Sequence, residues 1–148
     1  MREIIGDIWS FHDKNEWVAI TTNGSVKKNG ECVMGRGVAL EAKSKSPNIE
    51  RELGAHILKH GNVCFWMPFR KIVTLPVKHQ WFEKADIDLI IDSCKRLVEV
   101  HWSEWAEEGS LLYLVRPGCG NGQLRWEDVR PKLEKILDDR FVIVEKNS

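Results

Sequence analysis

The chain of 148 residues is the size of one ordinary domain and is long enough to bury a hydrophobic core. Its composition, 43% hydrophobic and 30% charged residues, argues against disorder. The 22 Lys and Arg residues balance the 22 Asp and Glu residues, so the formal net charge is zero. Proteins that grip duplex DNA through many phosphates have a basic surplus. We therefore expect a small anionic ligand rather than stable binding to duplex nucleic acid.

No apolar run has the length that a signal peptide or a membrane span needs. The four cysteines are irregularly spaced and contain no C-x-x-C pair, which argues against a structural zinc site. The five histidines also show no metal-ligand spacing. We therefore expect a cytoplasmic protein with reduced thiols, without bound metal, cofactor or membrane association.

Strands and helices alternate along the chain. Strands are predicted at 2–5, 18–22, 63–67, 72–75, 111–115 and 141–144, and helices at 38–43, 48–60, 85–105 and 126–138. Asn48 is placed to cap the second helix and Gly61 to end it. Apolar residues at three- and four-residue steps give the third helix a buried face, on which we expect Trp102 and Trp105. This alternation predicts one α/β domain over residues 1–148, with a largely parallel or mixed sheet covered on both faces.

Two glycine-rich segments each connect a strand to a helix. One contains Gly35, Arg36, Gly37 and Val38, and the other contains Gly118, Cys119, Gly120, Asn121 and Gly122. In such sheets the ligand crevice lies beyond the carboxyl ends of the strands. Glycine backbone and helix N-termini bind phosphate there, so two such loops suggest a diphosphate ligand. The spacing fits neither the Walker nor the Rossmann pattern, and each loop alone is also consistent with a tight corner.

Four motifs resemble the macro domain family, in the family's order along the chain. They are Gly6-Asp7-Ile8, Thr22-Asn23-Gly24, Met34-Gly35-Arg36-Gly37-Val38-Ala39-Leu40, and Pro117-Gly118-Cys119-Gly120 leading to Trp126-Glu127-Asp128-Val129. The resemblance is closest to the branch containing the terminal ADP-ribose protein glycohydrolase and the DNA ADP-ribosyl glycohydrolase antitoxins. It implies a three-layer α/β/α fold that binds ADP-ribose, in a stand-alone, monomeric module of a bacterium or a phage.

The resemblance also implies roles for single residues. Asp7 accepts a hydrogen bond from the adenine amino group, with Ile8 nearby, and Asn23 lies near the distal ribose. The Gly35–Val38 loop approaches that ribose and a phosphate, and the Gly118–Gly122 loop wraps the diphosphate. The residues alone leave alternatives open: Asp7 as a turn-capping residue, and Asn23 as a left-handed turn position.

Two aromatic residues are weaker candidates for the pocket. Phe141 is a candidate to stack on the adenine, and Trp81 is a candidate for the pocket edge.

Lys78 is the candidate catalytic residue. It follows Pro76 by two residues and precedes Trp81 by three. This is the place where the DNA-directed branch carries its catalytic lysine, in a similar F-P-T-K-x-x-W pattern. The protein-directed enzyme has its lysine earlier in the strand and an aspartate in the second glycine loop, where this sequence has Leu75 and Gly122.

A lysine beside the distal ribose suits cleavage at the anomeric carbon. With a lowered pKa, for which we expect His79 as the neighbouring cation, Lys78 would attack that carbon or its open-chain aldehyde, or move a proton. The predicted function is an ADP-ribosyl glycohydrolase that removes ADP-ribose from a DNA base or a protein. The alternatives are an ADP-ribose 1″-phosphate phosphatase and a non-catalytic ADP-ribose reader, in which Lys78 is only a solvated residue or a charge partner for phosphate.

Overall fold

The computed structural model describes residues 1–146 and contains six strands and five α-helices. The strands are β1 (Arg2–Gly6), β2 (Trp17–Asn23), β3 (Phe65–Met67), β4 (Ile72–Lys78), β5 (Leu112–Leu114) and β6 (Phe141–Lys146). The helices are α1 (Ile8–Asp13), α2 (Gly37–Lys45), α3 (Ile49–His60), α4 (Ile87–Val100) and α5 (Trp126–Glu134). The strands form one sheet in the order β1-β6-β5-β2-β4-β3. Only the β3–β4 pair is antiparallel, which confirms the predicted mixed, largely parallel sheet.

The sheet lies between two layers of helices. Successive side chains of a strand point to opposite faces, and β2 shows this clearly. Val18 and Ile20 pack in one core with α1, α2 and α3, whereas Trp17 and Ala19 pack in a second core with α4 and α5. Both faces are therefore buried, which explains the nearly all-apolar strands and confirms the three-layer architecture.

Several helix ends differ from the prediction. Helix α1 was not predicted because its six residues are too few to show a helical period, yet it buries Ile8 and Trp9. Asn48 occupies the N-cap position of α3 but is left-handed there, so its side chain makes no capping bond. Helix α5 ends at Glu134 rather than at residue 138, and the Asp138 carboxylate accepts from the backbone N–H of Arg140 in the turn before β6.

Helix α4 begins at Ile87, after Asp86 has capped it, and continues as a π-helical turn over His101–Trp105. The wider π turn rotates the following residues relative to the α-helical face. Trp102 still packs against the second core, but Trp105 is 37% exposed, so its predicted place in the core is wrong. No helix within residues 1–146 is both long enough and apolar enough to cross a lipid bilayer.

The π turn buries a histidine at the amino ends of the parallel strands. His101 is fully buried, and its Nδ1 accepts a hydrogen bond of 3.0 Å from the indole Nε1–H of Trp66. An indole N–H only donates, so the Nδ1 atom of His101 carries no proton. This imidazole lies at the end of the sheet opposite the carboxyl ends of the strands.

Candidate functional site: a cleft at the carboxyl edge of the sheet

A cavity of about 880 Å³ opens beyond the carboxyl ends of β2, β4, β5 and β6. It is lined by residues 21–23, 27, 33–39, 41, 77–78, 81, 115–116, 118–122 and 144–146. Both predicted glycine loops are among these residues, together with Asn23, Lys78 and Trp81. Parallel strands bring these separate segments to one edge of the sheet, as the position of the glycine loops predicted.

The first glycine loop is the N-terminus of α2. Gly37 has a φ of +58°, which favours glycine, and the helix starts there without a side-chain cap. The backbone N–H groups of Gly37, Val38 and Ala39 have no intrahelical acceptor, as in the first turn of any α-helix. Because these three residues line the cavity, their N–H groups and the helix dipole favour an anion there.

The second glycine loop is closed by its own hydrogen bonds. The Gly118 carbonyl accepts from Leu124 N at 3.0 Å, and the Gly120 carbonyl accepts from Gln123 N at 2.9 Å. Within residues 1–146, the N–H groups of Asn121 and Gly122 have no acceptor. A loop that is fixed by its carbonyls and leaves consecutive N–H groups free is suited to hold a phosphate.

The two glycine loops approach each other across the cleft. A Cβ atom at Gly37 would lie 3.1 Å from Nδ2 of Asn121, so the Asn121 side chain reaches the start of α2. The two loops therefore border one narrow space. A ligand bound there would be held from two sides.

Lys78 lies beside Asn23 because of an irregularity between β2 and β4. Thr22 pairs with Pro76, but Asn23 pairs with Lys78, so Val77 is an extra residue in β4. A bulge of this kind changes the direction of the following side chains. It places the two predicted ribose-end residues next to each other at the edge of the cavity.

Burial lowers the pKa of the Lys78 ammonium group, and the nearby Arg36 guanidinium lowers it further. The sequence predicted His79 as the cation that lowers this pKa, and that prediction is wrong. The His79 ring lies 2.7 Å from the Asp86 carboxylate instead. Nζ of Lys78 donates to the Trp81 carbonyl at 3.3 Å. No carboxylate within residues 1–146 forms an ion pair with Lys78.

Charged side chains are distributed unequally along the cleft. At the β4 end, the cations Lys27, Arg36 and Lys78 line the cavity without an ion-pair partner in residues 1–146. At the β6 end, two ion pairs line it instead: Arg116 with Glu145 at 3.1 Å, and Lys146 with Glu41 at 3.4 Å. Positive charge without an ion-pair partner in residues 1–146 is therefore greater on this side of the cleft, where it favours an anionic ligand.

Three candidate site residues have other contacts in this structure. Asp7 and Ile8 do not line the cavity: Asp7 caps α1 by accepting from Trp9 N at 3.0 Å, and Ile8 is buried. The Asp7 carboxylate is exposed, so its contact with adenine stays a prediction. Phe141 is fully buried against Trp102, so its predicted stacking on adenine is wrong.

Asn23 uses its side chain to shape the edge of the cleft. Its Nδ2 donates to the Val33 carbonyl, and its Oδ1 accepts from Ser25 N, both at 2.9 Å. Asn23 is not among the residues with positive φ, so the alternative of a left-handed turn residue is wrong. The amide keeps one N–H for a ligand, since it has two and donates one here.

Sequence reasoning missed the cavity residues at the β6 end and in the segment after β2. These are Lys27, Glu41, Arg116, Glu145 and Lys146. Arg116, Glu145 and Lys146 lie at or just beyond the ends of buried parallel strands, and that position was a usable signal. Lys27 and Glu41 come from a loop and from a helix side, so only the fold brings them to the cleft.

The sequence matches no family model and no curated protein, but its fold matches several solved structures. The macrodomain of Mycobacterium tuberculosis DarG superposes with a TM-score of 0.71 at 21% identity, over 99% of this chain and 97% of that one. The macrodomain of Thermus aquaticus DarG superposes with a TM-score of 0.69 at 22% identity, over 99% of this chain and 97% of that one. Thermosipho africanus DarTG in complex with ADP-ribose gives 0.72 at 20% identity, over 98% of this chain but only 41% of that chain. The chain therefore has the macrodomain fold that the sequence motifs predicted, and its structure resembles the DarG macrodomains.

Proposed function

We propose that this macrodomain binds ADP-ribose in the cleft and hydrolyses the bond between ADP-ribose and a modified macromolecule, a DNA base or a protein, with Lys78 as the catalytic residue. The observation that carries the proposal is Lys78 itself. Lys78 lines the cavity, the pKa of its amine is lowered by burial and by Arg36, and no carboxylate of residues 1–146 forms an ion pair with it. A lysine of this kind has a larger neutral, reactive fraction than a solvated one.

The rest of the cleft supports ADP-ribose as the ligand. The free N–H groups of both glycine loops and the Arg36 guanidinium suit the two negative charges of a diphosphate. A cavity of about 880 Å³ is within the range of small-molecule sites. The DarTG structure with a similar fold contains ADP-ribose, which agrees with this ligand class.

The proposed reaction is a simple exchange at the anomeric carbon. The bond from that carbon to the target atom breaks, a bond to the oxygen of water forms, and the released target atom takes up a proton. Lys78 would act on this carbon as a nucleophile or move the proton, and the positive charge near it would stabilise the ligand's phosphates. The target can be a base or a side chain, because it lies outside the part of the ligand that the glycine loops would hold.

Binding is tested by calorimetric titration with ADP-ribose, with AMP and NAD as controls. We expect a Kd in the micromolar range, about −8 kcal/mol, and weaker binding of both controls. Absence of binding would refute the enzyme and the reader together.

Turnover is tested on an ADP-ribosylated oligonucleotide and an ADP-ribosylated protein. We expect Lys78→Ala to lower hydrolysis about 100-fold or more, while the Kd for ADP-ribose changes less than about fivefold. Lys84→Ala is the matched control, because Lys84 is an exposed lysine outside the cavity. An active Lys78→Ala variant would exclude the proposed role of Lys78.

A non-catalytic reader is the second candidate, and the acidic residues favour it. Two carboxylates line the cavity within residues 1–146, Glu41 and Glu145, and both are held in ion pairs, which makes them weaker candidates to activate water. A reader would bind ADP-ribose without releasing it from either modified substrate. Including ADP-ribose 1″-phosphate in the same assay tests the phosphatase alternative.

A further inference from the structure

Ser25 lies just beyond β2, is only 8% exposed, and does not line the cavity. Its hydroxyl nevertheless joins two segments of the site. Oγ accepts from the backbone N–H of Trp81 at 2.9 Å and donates to the side chain of Gln80 at 2.8 Å. Its own backbone N–H donates to Oδ1 of Asn23 at 2.9 Å. A buried hydroxyl that uses both its donor and its acceptor fixes the groups that it contacts.

The segment that Ser25 holds is the one that contacts Lys78. Trp81 donates its N–H to the Ser25 hydroxyl, and its carbonyl accepts a hydrogen bond from Nζ of Lys78. Two further bonds fix the backbone nearby. Gly24 N donates to the His79 carbonyl at 3.2 Å, and the Asn62 amide donates to the Lys78 carbonyl at 2.9 Å. Hydrogen bonds thus run without a break from Asn23 through Ser25 and Trp81 to the Lys78 amine.

We propose that Ser25 is a positioning residue for Lys78: its hydroxyl holds the turn after β4 so that the Trp81 carbonyl fixes the Lys78 amine beside Asn23. This inference rests on the proposed glycohydrolase function. A lysine side chain has four flexible carbons, so the amine keeps a defined place only while its acceptor is fixed. Misplacing a reacting group by about 1 Å can lower a rate about 100-fold.

The proposal gives a sign for the pKa of Lys78. A carbonyl acceptor stabilises the charged ammonium form, so a fixed Trp81 carbonyl counteracts the lowering by burial and by Arg36. If the Trp81 turn loosens, this hydrogen bond is lost in part and the pKa falls further. Loss of stability alone, without a change at Lys78, would leave this pKa unchanged.

The variants are Ser25→Ala, which removes the hydroxyl, and Ser25→Thr, which keeps it. Ser93→Ala is the matched control, because Ser93 is as buried, at 6% exposed, and its hydroxyl also donates a hydrogen bond, in this case to the Pro76 carbonyl of β4 at 3.1 Å. Gln80→Ala is a milder variant at the surface, because Gln80 is exposed and its replacement removes only one of the two hydrogen bonds of the Ser25 hydroxyl. Each is measured for kcat, KM, ADP-ribose Kd and thermal unfolding, and the Lys78 pKa is followed by the ¹³Cε shift of labelled lysine.

We expect Ser25→Ala to lower kcat about 10- to 100-fold and to lower the Lys78 pKa, with KM and the ADP-ribose Kd changed less than about threefold. Ser25→Thr should keep kcat and the Lys78 pKa near their wild-type values. Gln80→Ala should lower kcat and the Lys78 pKa slightly, and Ser93→Ala should change neither kcat nor this pKa. The inference is overturned if Ser25→Ala keeps the wild-type kcat and Lys78 pKa, or if Ser93→Ala lowers kcat equally. If the wild-type protein hydrolyses no substrate, the proposed function fails, while the Lys78 pKa of the variants still decides whether Ser25 fixes the amine.

Discussion

The two glycine loops of the cleft have similar sequences but different surroundings. Gly35 is exposed, and a Cβ atom added there would meet nothing within 4 Å. Gly122 is buried, and a Cβ atom there would collide with the carbonyl oxygen of Gly118. Neither residue has a positive φ, so backbone conformation does not explain the difference. Glycine is required by packing in the second loop, whereas in the first it leaves space that a ligand can use.

The largest effect is expected for Gly122→Ala. The added methyl group meets backbone rather than a side-chain tip, so the loop itself must move. We expect the free energy of unfolding to fall by about 3 kcal/mol, measured by urea denaturation, with weakened ADP-ribose binding as a consequence. A loss below about 0.5 kcal/mol would show that the second loop is as free of packing constraints as the first.

Gly37→Ala should weaken both ADP-ribose binding and stability. Its φ of +58° strains any other residue, and the new methyl group would press on the Asn121 amide, which is exposed and able to turn aside. We expect a loss of stability of about 1 kcal/mol and roughly tenfold weaker ADP-ribose binding, because the start of α2 and the contact between the loops both shift. Calorimetry and urea denaturation separate the two effects. A loss of stability with unchanged ADP-ribose affinity would contradict a role of this glycine at the ligand.

The pH dependence of ADP-ribose binding distinguishes the contribution of the charged Lys78 side of the cleft from that of the neutral Gly118–Gly122 loop. The N–H groups of the Gly118–Gly122 loop do not titrate, but Lys78 loses its charge as the pH rises through its lowered pKa. We expect the affinity for ADP-ribose to fall about threefold, with an inflection at a pH below the pKa of an ordinary lysine, about 10.4. Lys78→Ala should remove this inflection. If the inflection persists in Lys78→Ala, another group is responsible for it.

The smallest effect is expected for Gly35→Ala, the counterpart of Gly122→Ala. With open space around the new methyl group, stability should stay within about 0.5 kcal/mol of the wild type. Any change should appear as a few-fold loss of ADP-ribose affinity in the calorimeter, where the methyl group would narrow the cleft. A clear loss of stability would mean that this loop, too, is fixed by packing.

Much of the fold could be predicted because its signals are local. Buried apolar strands such as 111–115 and the periodic pattern from Ala85 onward identify themselves within short windows. Helix α1 could not be found in this way, because six residues span fewer than two turns. The π turn after α4 gives no sequence signal, and it moved Trp105 out of the core.

The site was predictable only where one segment carries the chemistry. The glycine loops and Lys78 were found because each has a characteristic local pattern. The approach of Asn121 to Gly37, and of Arg36 to Lys78, joins segments far apart in the chain. Such contacts depend on strand order and on the extra residue at Val77, which no window of sequence contains.

The buried His101 has a consequence for the acid stability of the whole molecule. Burial lowers the pKa of its imidazole to about 4, with smaller contributions from Arg140 and Lys71. A histidine in the unfolded chain has a pKa of about 6.5. The unfolded state therefore binds more protons between these values. The stabilisation, on the order of 3 kcal/mol, is complete above the unfolded pKa and is lost as the pH falls towards the folded one. The group that makes the fold sensitive to acid in this range therefore lies at the amino ends of the strands, the end of the sheet opposite the cleft.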